Sequence, residues 1–237
     1  MMMCRLAAES ALPEARRVSV EGNLARVRQK IADSLANAGR TDSVKIVAVT
    51  KTVDVPVIEE VVGAGNAAIG ENVVQEAARK KGLLKEKVEW HMVGHLQSNK
   101  AKRAAEIFDW VQSVDSVKIA RKLNDACGEL GKIMNVLIQV NVSGEETKFG
   151  IAAEEAECLV NEIKDMNNLN LKGLMVVAPY FEDPGLARPI FREARELKEK
   201  LSLEMLSAGM TNDFEVAIEE GANIVRIGTA IFGPRDA

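Results

Sequence analysis

Lys45-Ile46-Val47-Ala48-Val49-Thr50-Lys51-Thr52-Val53-Asp54-Val55-Pro56 is the stretch that decides how this chain folds. Its first half is apolar and rich in β-branched residues, the composition of a strand buried on both faces in a parallel sheet. The strand ends on Lys51, and Asp54 with Pro56 opens a helix behind it. Carboxyl ends of strands are where α/β folds place their chemistry. A lysine there can be desolvated, and its neutral amine can form a Schiff base with an aldehyde. It can equally be a surface lysine with its head in water. The segment by itself supports both readings.

Outward from this strand the pattern repeats. A long amphipathic helix over about 14–39 precedes it. Strands are predicted at 45–50, 67–71, 89–93, 109–114, 133–141, 170–177, 203–207 and 223–228. Helices are predicted near 54–64, 72–86, 98–107, 116–130, 152–166, 185–201 and 212–221. Ser98 and Ser116 stand at helix starts, and Gly70, Gly94, Gly209 and Gly228 follow strands. Eight strands alternating with helices in 237 residues, without a linker, predict a single (β/α)8 TIM-type barrel preceded by an N-terminal helix. An open doubly wound sheet is the alternative, but the glycine-rich dinucleotide fingerprint it often carries after its first strand is replaced here by Lys51-Thr52-Val53. Residues 1–15 read as a disordered tail, and 16–237 as the barrel domain.

Composition narrows the function. A net charge of −4 and the lack of a compensating basic stretch argue against nucleic-acid binding. The basic pairs Lys80-Lys81 and Lys102-Arg103 lie on helical patterns and read as solvated faces. No apolar run is long enough to span a bilayer, and the start lacks the apolar core of a secretory signal. Three cysteines, Cys4, Cys127 and Cys158, are too few and too far apart for a disulfide framework or zinc cluster. The expected location is the reducing cytoplasm.

In a barrel the strand ends converge on one face. Those ends hold Lys51, Asn72, His91, His95, Asn141, Met175, Ser207 and Arg226-Ile227-Gly228-Thr229. They offer no paired carboxylates for glycoside hydrolysis and no carboxylate–histidine metal cluster. His91 is either a core histidine or a ligand contact, and Asn72 either a helix cap or a rim amide. The last two strands say more. Ser207-Ala208-Gly209-Met210-Thr211-Asn212-Asp213 and Arg226-Ile227-Gly228-Thr229 place hydroxyls and small residues where many barrels bind a phosphate. Each loop alone reads equally as a cap or a turn. Both together, on one rim with Lys51, point to a phosphate-bearing aldehyde.

Ala48-Val49-Thr50-Lys51, Gly70-Glu71-Asn72-Val73-Val74-Gln75-Glu76 and Trp90-His91-Met92-Val93-Gly94-His95-Leu96-Gln97-Ser98-Asn99-Lys100 resemble the pyridoxal phosphate homeostasis proteins. So do Lys148-Phe149-Gly150, Leu174-Met175, the stretch from Leu206 to Asp213 and that from Arg226 to Gly233. The resemblance runs in order over about 20–235. It implies the barrel of alanine racemase without its second domain. It also implies that pyridoxal 5′-phosphate (PLP) is held covalently on Lys51. Ser207, Gly209, Thr211, Gly228 and Thr229 would receive the phosphate, and Arg226 would face the pyridine nitrogen. Asn72, His91 and Met175 would lie near the cofactor. Ala208 and Thr211 stand where methionine and serine are frequent in this motif. An arginine at the ring nitrogen opposes its protonation and so weakens the electron sink that pyridoxal enzymes use. The implied role is a non-catalytic carrier and regulator of vitamin B6 and amino-acid balance. Its partners would be PLP and PLP-dependent apo-enzymes, and its state a monomer or weak dimer. The alternatives are a PLP-dependent racemase, in which Tyr180 or a histidine supplies a second base, and a cofactor-free aldolase acting through Lys51.

Overall fold

The computed structural model describes residues 19–145 and 148–234; the expected tail at 1–15 lies outside them. Eight parallel strands close a barrel in sequence order. They are β1 (Lys45–Val49), β2 (Ala68–Glu71), β3 (Glu89–Met92), β4 (Trp110–Val114), β5 (Met134–Val140), β6 (Leu169–Val176), β7 (Met205–Ser207) and β8 (Ile224–Ile227). Closure is made by β8 against β1, with Lys45 opposite Ile224 and Val47 opposite Arg226. The closed barrel, and not an open sheet, is the architecture of this chain.

Helix α1 (Val20–Asn37) precedes the barrel, capped by the Ser19 hydroxyl, which accepts the Gly22 amide at 3.1 Å. Its Leu24, Val27 and Ile31 pack with Ile46 and Ala48 of β1 and Val225 and Ile227 of β8, sealing the closure seam. Between strands run α2 (Val55–Gly63), α3 (Val74–Lys81), α4 (Ala101–Ile107), α5 (Val117–Glu129), α6 (Ala156–Lys164), α7 (Arg188–Lys200) and α8 (Phe214–Glu219), with α9 (Thr229–Phe232) after β8. Ser116 caps α5 by accepting the Ile119 amide, whereas Asp54 stands at the start of α2 without a side-chain cap bond. The helix predicted over 72–86 is shorter, because Gly82 ends α3 and the amides of Leu83 and Leu84 turn back onto the Lys80 carbonyl. The segments predicted as helix from 98, 152 and 185 begin as short 3₁₀ turns before becoming α-helical.

The barrel interior is a filled core. Val47, Trp110, Leu137, Met175 and Ile224 pack across it, bordered by Ala68, Val93, Val177 and Met205. A larger apolar layer, including Ile58, Met92, Phe108, Leu123 and Phe191, lies between barrel and helices. Side chains alternate inward and outward along a regular strand. The inward series 47, 49, 51 of β1 therefore climbs from this packed core to the open carboxyl end.

Candidate functional site

A cavity of about 610 Å³ opens at the carboxyl ends of the strands. Lys51, Asn72, Thr211, Arg226, Gly228 and Thr229 line it, so six of the ten residues expected to bind the cofactor meet in one place. Val49, Val93 and Val177 form apolar wall, and Tyr180, Met210 and Asn212 complete the lining.

The other four lie outside that lining. His91 and Met175 stand two residues before Val93 and Val177 on the same inward faces, one layer deeper. Met175 belongs to the interior core. The His91 ring is fully buried, stacked on Trp110 at 5.3 Å, with Nε2 2.7 Å from Glu89 Oε1 and Nδ1 2.9 Å from Gln112 Nε2. Ser207 is buried and its hydroxyl is engaged within the protein. It donates to Gln112 Oε1 at 2.6 Å and accepts from Arg226 Nη1 at 2.6 Å. Gly209 acts through its backbone: φ is +88°, and a Cβ would stand 2.7 Å from both Ala217 Cβ and Phe214 Cα. Only glycine combines that conformation with so close an approach, and the Gly209 carbonyl accepts the Arg226 amide at 3.0 Å, tying the loop after β7 to β8. The two loops meet again where Thr211 Oγ1 accepts the Ala230 amide at 3.2 Å.

Arg226 is the charged group of the cavity floor, 4% exposed. Besides Ser207 it donates from Nη2 to the Val176 carbonyl at 2.8 Å. Burial lowers its pKa to about 10, with Asp213 opposing the shift, so it remains cationic at neutral pH. Asp213 is itself pushed up by burial while accepting the Met210 amide at 2.7 Å.

Lys51 is held by what flanks it. The next residue, Thr52, has φ +61°, a left-handed conformation that costs a non-glycine residue roughly 1–3 kcal/mol and persists only when the surroundings impose it. Its amide donates to Glu76 Oε1 at 2.7 Å. The preceding carbonyl, of Thr50, accepts from Lys80 Nζ at 2.5 Å. Lys80 also meets Glu71 Oε1 and Glu76 Oε1, each at 2.7 Å, and Thr50 Oγ1 donates to Glu71 Oε1 at 2.6 Å. Burial pushes the Glu71 carboxyl up, against the hydrogen bonds from Lys80 and Thr50. For Glu76, burial raises the pKa, but Lys80 and the Thr52 amide outweigh it and the net shift is downward. This cluster corrects the sequence reading of Lys80-Lys81 as a solvated face: the Lys80 side chain is 0% exposed. The signal that could have found it is Glu71 on a buried strand end, with Glu76 four residues before Lys80 on the same helix face. Lys102 and Arg103 are exposed, as expected.

Among the other candidates, Asn141 Nδ2 donates to the Glu145 carbonyl at 2.8 Å and fastens its own loop. His95 pairs with Asp115 at 3.2 Å and stacks on Phe149. Cys127 is buried, with its thiol pKa raised by desolvation, and Cys158 is exposed. The described residues contain no cluster of three or more metal-ligating side chains and no helix long and apolar enough to cross a membrane.

Fold and cavity together define a barrel of the alanine racemase N-terminal kind, and a model of that domain matches residues 22–236. The Pyridoxal phosphate homeostasis protein of Pasteurella multocida is 41% identical over 230 residues, covering 92% of this chain and 99% of that one. Its namesake in Escherichia coli K12 is 40% identical over 224 residues, covering 90% and 96%. This chain belongs to the pyridoxal phosphate homeostasis protein family. The structure of PipY from Synechococcus elongatus with PLP bound matches with a TM-score of 0.81 at 33% identity, covering 90% of this chain and 100% of that one. Alanine racemase of Clostridium difficile 630 matches with a TM-score of 0.73 at 15% identity, over 92% of this chain and 57% of that one, a likeness of fold alone.

Proposed function

We propose that this protein binds PLP in the cavity at the carboxyl end of the barrel and serves vitamin B6 and amino-acid homeostasis as a carrier without turnover of its own. One observation carries the reading: a lysine amine, a buried guanidinium and two threonine hydroxyls converge on a single cavity of about 610 Å³. The donor set suits the cofactor. An amine matches an aldehyde, hydroxyls beside small residues match a phosphate, and a guanidinium matches an unprotonated ring nitrogen that can only accept. Bound there, PLP supplies a reactive aldehyde and an electron-withdrawing ring.

Lys51 would hold the aldehyde carbon through its Nζ, the aldehyde oxygen leaving as water. Thr211 and Thr229, with the backbone at Gly228, would receive the phosphate. Arg226 would donate toward the ring nitrogen and disfavour a proton on it, which would keep the ring a poor electron sink. Asn72 would border the ring. Ser207 and Gly209 support the site from beneath, one through Arg226 and the other through the loop backbone. His91 and Met175 belong to the layer under the floor. A racemase needs a base on each face of its substrate. Both histidines lie outside the cavity lining, and Tyr180, which does line it, stands 80% exposed at the lip. The carrier reading is therefore preferred, with a cytoplasmic location, apo-enzymes as recipients and a monomer or weak dimer as the working state.

The deciding experiment is the visible spectrum of the purified protein after addition of PLP, with borohydride reduction and mapping of the adduct. The native protein should show an imine band that reduction fixes to Lys51, and Lys51→Ala should lose both. An adduct on a different lysine, or no band in the native protein, overturns the assignment. Racemisation of added amino acids at enzymatic rates would replace the carrier by an enzyme.

A further inference from the structure

A chain of polar side chains, buried from Arg226 to His91, runs down the barrel axis from the cavity floor to the opposite mouth. Arg226 Nη1 donates to Ser207 Oγ at 2.6 Å, and Ser207 donates to Gln112 Oε1 at 2.6 Å. Gln112 Nε2 lies 2.9 Å from His91 Nδ1, and His91 Nε2 lies 2.7 Å from Glu89 Oε1. Lys45 Nζ closes the chain on the same Glu89 oxygen at 2.6 Å. The Gln112–Ser207 bond joins β4 to β7, strands that are not neighbours, so it crosses the barrel interior. Gln112 reaches the axis from an irregular stretch of β4, whose register with β5 shifts between Val111 and Val114. Such irregularities re-aim side chains.

The two ends fix the direction of every bond. A guanidinium can only donate and a carboxylate can only accept. Arg226 must therefore give to Ser207, and Ser207 to the Gln112 carbonyl oxygen. That leaves the Gln112 amide nitrogen to give to His91 Nδ1, so the imidazole proton sits on Nε2 and goes to Glu89. The pKa shifts of His91 and Glu89 agree. Burial lowers that of His91, with Lys45 adding to the effect and Glu89 and Asp109 opposing it. Burial raises that of Glu89, but His91 and Lys45 outweigh it and bring it to about 2.

We propose that Glu89, His91 and Gln112 are positioning residues for Arg226: a one-directional hydrogen-bond chain, anchored on the Lys45–Glu89 pair at the far mouth, sets where the guanidinium points in the cavity. The far pair is about one-third exposed, 33% for Lys45 and 35% for Glu89, so the cavity floor is wired to the opposite surface of the barrel. Aligned bonds between a cation and an anion polarise one another. Breaking the middle leaves the Ser207 hydroxyl without its acceptor, so the oxygen that receives Arg226 Nη1 is no longer fixed in orientation and holds the guanidinium less firmly. The consequence for a bound ligand rests on the PLP reading; the orientation of the chain does not.

Two arms test it. In protein without added PLP, nitrogen NMR should show His91 as the neutral Nε2–H form from pH 6 to 8, and Arg226 with slowly rotating guanidinium protons. Gln112→Leu should release that rotation while the circular dichroism spectrum stays native. Gln112→Glu, which keeps the shape, should retain the Ser207 bond and convert His91 to a form protonated on Nδ1. In protein loaded with PLP, Gln112→Leu should move the visible absorption band and weaken binding about tenfold, effects that a loss of packing alone would not produce together. Free titration of His91 in the native protein overturns the proposal, as does unchanged Arg226 rotation in a folded Gln112→Leu. If only the absorption arm fails because PLP does not bind, the cofactor reading falls and the positioning chain stands.

Discussion

Replacing Lys80 by methionine should unfold the protein at markedly lower temperature, by an amount that depends on pH. The substitution keeps most of the aliphatic stem and removes the ammonium that serves Thr50, Glu71 and Glu76 together. Glu71 would then be a fully buried carboxylate facing only the Thr50 hydroxyl. Its Oε2 is already without a hydrogen-bond partner among the described residues. Breaking a buried ion pair from one side costs about 3–5 kcal/mol. At roughly 2–4 °C per kcal/mol for a domain of this size, the melting temperature should fall by about 6–20 °C at pH 8. Glu71 can escape by taking up a proton. Its pKa is already raised by burial in the native protein, and losing Lys80 removes the main opposing pull. A group held above its unfolded value stabilises the fold at low pH and loses that contribution as pH rises through the folded value. The deficit should therefore be smaller at pH 5 than at pH 8. Adding Glu71→Gln should recover part of it at pH 8. Because Lys80 and Glu76 bracket Lys51 through Thr50 and Thr52, the variant should also load PLP less fully. Scanning calorimetry at the two pH values measures the first effect and the imine band the second. A native melting temperature at pH 8, or a deficit equal at both pH values, would refute the reasoning.

Ser207→Ala and Thr229→Ala should separate cleanly. The first leaves Arg226 Nη1 without an acceptor in the interior, a cost of about 1–3 kcal/mol visible as a lower melting temperature. The second should leave the melting temperature nearly unchanged and weaken PLP binding by roughly one to two decades, the worth of about 1.5–3 kcal/mol for a charge-assisted hydrogen bond. Titration of pyridoxal without its phosphate should show the same weakness against the native protein. Glu89 has its folded pKa depressed to about 2, so its contribution is present above the ordinary carboxylate value of 4.5 and lost as pH falls toward 2. The melting temperatures of the native protein and Glu89→Gln should differ at pH 7 and converge in that window. Gly94→Ala should displace the loop bearing Asn72, since the new Cβ would lie 2.4 Å from the Asn72 carbonyl oxygen. Loss of about 1–3 kcal/mol or more, with an altered imine band, is expected from calorimetry and absorbance.

The sequence by itself determined the eight strands, the order in which they alternate with helices, and the barrel these imply, because burial on both faces of a parallel strand demands apolar β-branched runs such as Ile46-Val47-Ala48-Val49. It also determined that Lys51, Asn72 and the residues after β7 and β8 share one rim, since parallel closure leaves every strand end on the same side. What only the tertiary structure decided is depth and direction. Ser207 and Thr229 read alike as hydroxyls near a strand end, yet one is locked between Gln112 and Arg226 and the other faces the cavity. Lys80 and Lys102 read alike as members of basic pairs on helices. One is buried because Glu71 and Glu76 meet it from a strand and from its own helix, and the other is solvated. Gln112 and Glu89 gave a local signal only in being polar within buried or half-buried strands. Their part in the axial chain needs Ser207, which is 95 residues from Gln112. A local pattern sets which face of an element a residue occupies. The partner waiting on that face comes from distant chain, and partners decide whether a buried polar group supports the fold or serves the cavity.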